Sequence, residues 1–254
     1  MPVAGFCLDI AGVLADNGRL LPGAQEALTL ISKAGLPCRL LTNTSRRPAS
    51  AVHKELVSLG LSVAPRQIFS APQTLAARLR ERNLRPYLVI HPDIESEFTG
   101  IDRRQPNAVV ICDAADALDY DHLDRAFALL MEGAPLLGVG MNRYFNGEHR
   151  LHLDAGPFIR ALEFASGVRA EMLGKPGRAM FDYAVADMGT NAHHTWMIGD
   201  DVDADIEGAL AAGLQACLVR TGKYREGDEN RASASITLAS DVLAAVKDIL
   251  RDNA

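Results

Sequence analysis

Residues 5–16 read GFCLDIAGVLAD, an apolar run that reaches a single carboxylate and then breaks at a glycine. The apolar part predicts a strand that is buried in a parallel sheet. A carboxylate at the end of such a strand needs an explanation, because burying an unpaired charge is costly. Open α/β sheets bind their ligands at the carboxyl ends of their strands. Asp9 is therefore a candidate nucleophile or metal ligand, although an aspartate that caps the following turn would give the same pattern.

The composition limits the class of protein. A chain of 254 residues, of which 48% are hydrophobic, can bury one large core or two smaller ones, and we expect two packed units. The formal charge of -6 argues against a nucleic-acid partner but allows a small anionic substrate whose charge is neutralised locally. The four cysteines have neither metal-ligand nor disulfide spacing, so we expect reduced core residues. No apolar run approaches membrane-spanning length, which predicts a cytoplasmic protein with no membrane partner.

A βαβ unit follows the first strand. Helical spacing of apolar residues predicts a helix from residue 24 that ends before Gly35, and residues 37–43 predict a second buried strand. Since the two strands are parallel, Asp9 and Thr42 are expected at the same edge of the sheet. The Thr42 hydroxyl and the amides after it could hold a phosphoryl oxygen, or they could cap the next helix.

The middle of the chain has a different character and predicts a separate αβ module inserted into the first one. We place the parts at residues 1–71 and 173–254 for the core, and at residues 72–172 for the inserted module. Within the module, the pattern predicts strands at residues 86–90, 108–112 and 136–139, helices at 121–132 and 157–165, and a hairpin-like loop at 142–147.

Charged residues return after the inserted module. Lys175 stands between Gly174 and Pro176, where it could neutralise an anion or be an ordinary surface lysine. Residues 195–205 read TWMIGDDVDAD, an apolar strand that runs into four aspartates within six residues. These carboxylates repel one another unless a cation compensates, so we favour a divalent metal site. A strand at residues 215–219 and a helix at residues 239–250 complete the predicted elements.

Four short motifs in this order resemble those of the haloacid dehalogenase superfamily of phosphatases. They are Asp9 with Gly12, Thr42 with Asn43, Gly174 with Lys175 and Pro176, and Gly199 with Asp200, Asp201 and Asp205. The resemblance implies an α/β fold, a doubly wound Rossmann-like parallel sheet core with an inserted αβ cap domain. The stretch between Asp9 and Thr42 is short, and the stretch between Thr42 and Lys175 is long. The resemblance therefore implies that the cap lies between Thr42 and Lys175, as in the p-nitrophenylphosphatases and the nucleotide phosphatases.

The resemblance also implies a mechanism, a cofactor and an assembly. Asp9 would attack phosphorus to give an aspartyl phosphate, which water then hydrolyses. Magnesium would bind the Asp9 carboxylate, the Ala11 carbonyl and Asp200. Asp201 would be a further ligand or would support the site together with Asp205, and one of these two aspartates would pair with Lys175. Substrate charge would be neutralised by Thr42, Asn43 and Lys175. A small phosphorylated substrate and a homodimer are implied as well.

Ala11 departs from the family pattern. Most of these phosphatases have a second aspartate there, which protonates the leaving oxygen and later activates water; pyrophosphatase-like relatives tend to have serine. Without that group, we expect poor hydrolysis of alkyl phosphates and better hydrolysis of pyrophosphate or N-phosphoryl compounds. Two alternatives stay open: an idle member that binds phosphate as a regulatory protein, and a phosphonoacetaldehyde-type hydrolase, which the short first gap disfavours.

Overall fold

The computed structural model describes residues 2–146 and 150–252. Strands and helices alternate along the chain, which divides into two compact units. One consists of Met1–Thr42, Ala49–Phe69 and Arg178–Ala254, and the other of Asn43–Pro48 and Ser70–Gly177. The boundaries that we place after residues 71 and 172 stay predictions.

The first unit contains a six-stranded sheet, counted over the described residues, with Gly5–Asp9 in its interior. Gly5–Asp9 lies between Thr195–Gly199 and Cys38–Thr42 and is parallel to both, and Gln215–Val219 is parallel to Thr195–Gly199 and to Thr237–Ala239. From Gly5–Asp9 the chain adds strands first on one side and later on the other, which is the doubly wound arrangement and confirms the predicted fold class. The strand order is Thr237–Ala239, Gln215–Val219, Thr195–Gly199, Gly5–Asp9, Cys38–Thr42 and Ile68–Ser70.

Helices of the first unit bury one apolar stripe each. In Ala24–Lys33 the buried residues recur at helical spacing. The buried residues of Val242–Asp252 belong to the same hydrophobic core as those of Ala24–Lys33 and of the central strand, Gly5–Asp9. The remaining helical elements are Ala49–Ser58, Pro65–Gln67, Arg178–Met188, Ala192–His194, Val202–Glu207, Gly208–Ala211 and Asp228–Arg231. A small antiparallel ribbon joins Ala15–Asp16 to Arg19–Leu20.

The second unit has its own parallel sheet, in the order Glu171–Met172, Leu136–Gly138, Ala108–Ile111 and Pro86–Val89. Its helical elements are Ala71–Glu81, Pro92–Phe98, Ala115–Ala117, Tyr120–Met131 and Ala155–Ser166. At the hairpin-like loop predicted for residues 142–147, Tyr144–Asn146 forms an antiparallel pair with Leu151–Leu153. Gly147, the last residue of that predicted loop, lies outside the described residues.

The short segment Asn43–Pro48 belongs to the second unit and makes polar contacts within it. The Arg46 guanidinium donates two hydrogen bonds to the Asp113 carboxylate, at 2.5 and 2.9 Å, and the Asp113 amide donates to the Ser45 hydroxyl. Asp113 is buried and follows the strand Ala108–Ile111. An ion pair that is bidentate and partly removed from water holds its partners in a defined geometry.

Three other features bear on the expectations from the sequence. The last helix begins at Val242 and not at residue 239, because Ala239 pairs with Val219 in an edge strand. All four cysteines are buried free thiols, as expected for core residues, and burial raises the pKa of Cys217 to about 12. No helix in the described part of the chain is long and apolar enough to cross a membrane.

Candidate active site

Three carboxylates meet at one end of the first unit's sheet. Asp9 ends the central strand, Asp200 follows the neighbouring strand Thr195–Gly199, and Asp205 lies in the helical turns of Val202–Glu207. One ligand atom from each lies within 4.8 Å of the others. Asp9 is 9% exposed, Asp200 is 2% exposed and Asp205 is fully buried.

This donor set fits a hard divalent cation. Carboxylate oxygens are the ligands that Mg²⁺ prefers, and negative charges that are close and shielded from water repel one another. Because Leu8 pairs with Ile198, the strands that carry Asp9 and Asp200 end side by side. The position is the switch point of a doubly wound sheet, where ligands of such folds bind.

Two glycines lie against the Asp200 carboxylate. A Cβ atom at Gly12 or at Gly222 would collide with its Oδ2 atom, and both glycines have a positive φ, +80° and +59°. The same Oδ2 accepts a hydrogen bond of 2.7 Å from the backbone N–H of Lys223. The Thr221 hydroxyl donates to the Gly12 carbonyl at 2.5 Å, so the loop after strand Gln215–Val219 is tied to the chain that follows Asp9.

Replacing Gly222 by alanine is expected to lower the free energy of unfolding by about 2 kcal/mol or more, because positive φ and overpacking each cost on the order of 1 kcal/mol or more. Gly18→Ala is the matched control, since Gly18 also has a positive φ, +71°, but faces open space. Chemical denaturation of both variants measures the difference. Equal losses would show that the contact with Asp200 adds nothing to the backbone effect.

The carboxylate of Asp201, which is predicted as a metal ligand, accepts hydrogen bonds from two backbone amides and from Lys223. Its Oδ1 atom accepts backbone N–H bonds from Asp203 and Ala204, at 3.1 and 3.0 Å, which makes Asp201 the N-cap of the helical turns. Its Oδ2 atom accepts a bond of 2.9 Å from Lys223 Nζ. Burial raises the pKa of Asp201, but these bonds outweigh burial and the pKa lies below its usual value. Lys223 is therefore a cation that pairs with Asp201, and the predicted pairing of Lys175 with Asp201 or Asp205 stays a prediction.

Asp205, predicted as a supporting residue, lies with Asp9 and Asp200. Its Oδ2 atom accepts a hydrogen bond of 3.2 Å from the backbone N–H of Asp201. Gly199 is required at the end of the strand, since a Cβ there would collide with the Asp205 side chain. The structure therefore brings together three of the predicted carboxylates, with Asp205 in the cluster and Asp201 beside it.

The predicted phosphate-binding residues belong to different units. Thr42 ends the strand Cys38–Thr42, whose Leu41 pairs with Asp9. In the second unit, the Asn43 side chain accepts from the backbone N–H of Lys175 at 2.8 Å and donates to the Lys175 carbonyl at 2.7 Å. Lys175 is only 4% exposed. The Asn43 amide therefore fixes the backbone that carries the lysine.

Ala11 lies in the turn after Asp9 and is exposed. It forms an isolated bridge with Ala15, and the adjacent Gly12 amide donates to the Ala15 carbonyl at 2.9 Å. A methyl group has no proton to give or to accept, so this turn contributes its backbone but no side-chain acid or base.

Lys223 and Thr221 are missing from the residues predicted from the sequence. No role was assigned to either residue from the sequence, and an exposed lysine after a strand is ordinary. One signal was available: the strand Gln215–Val219 is parallel to Thr195–Gly199, so the residues after it must emerge at the same edge as Asp200.

Comparisons with known proteins agree with this geometry. A family model described as haloacid dehalogenase-like hydrolase matches residues 6–103, and a second model of HAD-like hydrolases matches residues 172–246. The human phospholysine phosphohistidine inorganic pyrophosphate phosphatase is 37% identical over 99% of this chain and 96% of its own length. The mouse protein of that name is 38% identical, over 98% and 94%. The bovine haloacid dehalogenase-like hydrolase domain-containing protein 2 is 35% identical, over 88% and 86%.

Solved structures show the same fold. A 4-nitrophenylphosphatase from Thermotoga maritima superimposes with a TM-score of 0.87 at 24% identity, over 97% of both chains. A p-nitrophenyl phosphatase from Archaeoglobus fulgidus has a TM-score of 0.88 at 20% identity, over 98% of this chain and 100% of its own. Fold, acidic cluster and identity over nearly the whole length point the same way: the chain belongs to the haloacid dehalogenase-like hydrolase family of enzymes.

Proposed function

We propose that the protein is a Mg²⁺-dependent phosphohydrolase that acts through an aspartyl phosphate at Asp9. The observation that carries this proposal is the buried cluster of Asp9, Asp200 and Asp205 at the switch point of the sheet. Carboxylates this close together and shielded from water repel one another, and a divalent cation bound among them would offset that repulsion. The phosphatase names of the similar relatives support the same conclusion.

We assign the metal to Asp9, Asp200, Asp205 and the backbone carbonyl of Ala11, with Asp201 supporting the helical turns that carry Asp205. This assignment revises the prediction from the sequence, because the Asp201 carboxylate already accepts hydrogen bonds from two amides and Lys223. When bound, Mg²⁺ supplies positive charge that stabilises the phosphoryl oxygens in the transition state.

The chain's own groups perform the transfer. An Asp9 oxygen attacks phosphorus, the bond from phosphorus to the leaving group breaks, and water later releases phosphate from Asp9. Thr42, Asn43 and Lys175 neutralise charge on the transferred group, which is most of what such a transition state needs from a protein. The bonds from Asn43 to both sides of Lys175 support a fixed position for that lysine.

Ala11 defines the substrate class. General acid-base help contributes roughly 10²- to 10⁴-fold, and this position supplies none. Substrates whose leaving group departs without a protein acid lose least, so we propose pyrophosphate and N-phosphoryl compounds over alkyl phosphates. The name of the human relative, a phospholysine phosphohistidine inorganic pyrophosphate phosphatase, favours the same class.

Ala11 also supports a second candidate, a catalytically idle protein that binds phosphate as a regulator. The two candidates differ in one observable, which is turnover. An idle protein would bind Mg²⁺ and vanadate, a mimic of the transferred group, without releasing phosphate.

The test is phosphate release from pyrophosphate, imidodiphosphate, phospholysine, p-nitrophenyl phosphate and a sugar phosphate, with Mg²⁺ and with EDTA. We expect release from the first three and from the activated aryl ester, and none in EDTA. An alkyl phosphate that turns over faster than pyrophosphate would contradict the substrate class. Binding without any turnover would favour the regulator.

We further propose a homodimer. Tyr144, Leu151 and Leu153, on the strand pair of the second unit, are 55%, 56% and 62% exposed, which is unusual for large apolar side chains. Sedimentation velocity distinguishes a dimer from a monomer, and a monomer at micromolar concentration would contradict this proposal.

A further inference from the structure

The loop at residues 221–223 contacts the acidic cluster at several points. The Thr221 hydroxyl is bonded to the Gly12 carbonyl, and the Lys223 amide is bonded to the Asp200 carboxylate. The Lys223 ammonium group lies 2.9 Å from the Asp201 carboxylate, and the Asp201 amide donates to Asp205. Lys223 is thus bonded directly to Asp200 and is linked to Asp205 through Asp201.

We propose that Lys223 is a positioning residue for the metal ligands. Its backbone N–H holds Asp200, and its ammonium group holds Asp201, whose own backbone N–H donates to Asp205. The proposal rests on the proposed function, since it concerns the Mg²⁺ site. The Lys223 side chain is 70% exposed, whereas that of Asp201 is 24% exposed, so the lysine reaches from the surface to the edge of the cluster. Its ion pair anchors the loop whose amide orients Asp200.

Two possible roles of Lys223 predict opposite changes in Mg²⁺ affinity when its ammonium group is removed. If Lys223 acted only as a nearby positive charge, its removal would strengthen the binding of a divalent cation, because like charges repel. If Lys223 holds the ligands in place, its removal loosens them and weakens binding. Residues that orient metal ligands typically contribute about 10- to 100-fold in metal affinity.

The experiment is calorimetric titration of the full-length protein with Mg²⁺, without substrate. We expect the dissociation constant of Lys223→Met to be about 10-fold higher than that of the native protein, and Lys223→Arg to restore most of the affinity, because a guanidinium can keep the bond to Asp201. Thr221→Val removes the other anchor without changing charge, and we expect it to weaken Mg²⁺ binding as well, with Thr221→Ser restoring it.

Arg231→Met is the matched control. Arg231 is an exposed cation of the same region that pairs with Asp203 and Asp228, outside the cluster. Its loss is expected to leave the Mg²⁺ dissociation constant within about two-fold of the native value, as for an ordinary surface ion pair. A cooperative thermal unfolding transition in EDTA is used to check that each variant is folded before its Mg²⁺ titration is compared with that of the native protein.

The outcomes separate the two proposals. Mg²⁺ binding by Lys223→Met that is unchanged or tighter, while the native protein binds, overturns the positioning role and leaves the proposed function intact. Failure of the native protein to bind Mg²⁺ overturns the proposed function itself. Equal weakening in Lys223→Met and Arg231→Met would show that the effect is not specific to Lys223 and would also overturn the positioning role.

Discussion

Asp9→Asn is expected to lower phosphate release from pyrophosphate by about 10³-fold or more, because an amide is not a nucleophile toward phosphorus and the rest of the site cannot replace it. The folded protein should survive the change. Asp9 is one of three buried carboxylates, so removing its charge relieves repulsion. We therefore expect the midpoint of thermal unfolding in EDTA to be no lower than that of the native protein.

Asp16→Asn serves as the control for Asp9→Asn. Asp16 is an exposed carboxylate in the short ribbon that follows, and its described side-chain partner is the neighbouring Asn17. We expect nearly native turnover from this variant. Substantial turnover by Asp9→Asn, or an equal loss in Asp16→Asn, would contradict the role of Asp9.

Ala11→Asp is expected to raise kcat/KM for an alkyl phosphate by about 10-fold or more, toward the roughly 10²- to 10⁴-fold that general acid-base catalysis supplies. The exposed position of Ala11 leaves room for the larger side chain. The expected effect on pyrophosphate is smaller, because its leaving group departs without a protein acid. The ratio of the two kcat/KM values is the quantity to measure.

Ala11→Asn controls for size and polarity, since asparagine matches aspartate in shape but has no carboxyl group to transfer a proton. A gain in Ala11→Asp that is absent in Ala11→Asn supports the assignment of Ala11 as the missing acid-base position. Equal gains in both variants, or no gain in either, would contradict it.

The sequence predicted the parallel core because its strands are short apolar runs that end in polar residues. Gly5–Asp9, Cys38–Thr42 and Thr195–Gly199 all occur where the pattern placed strands. The edge strands Ile68–Ser70 and Thr237–Ala239 were not predicted, because three residues are too few to show a period. The antiparallel ribbon after Asp16 has two-residue strands and leaves no signal at all.

The candidate site was predictable in its residue types but not in its detailed contacts. Four aspartates within a few residues indicate a cation, but their spacing does not say which ones share a face. The helical turns decide this, because the Asp201 carboxylate caps them and Asp205 lies in the cluster. The role of the Lys223 amide could not be read from the sequence, since any residue has a backbone N–H.

Trapping the phosphorylated enzyme tests the central claim most directly. Without a side-chain base at position 11, water attack on the intermediate is slow, so the aspartyl phosphate should accumulate during turnover of pyrophosphate with Mg²⁺. Acid quenching, reduction with borohydride and peptide mass spectrometry should then find homoserine in place of Asp9, and none in the absence of substrate. Steady release of phosphate with Asp9 unmodified, or with another carboxylate reduced instead, would contradict the account.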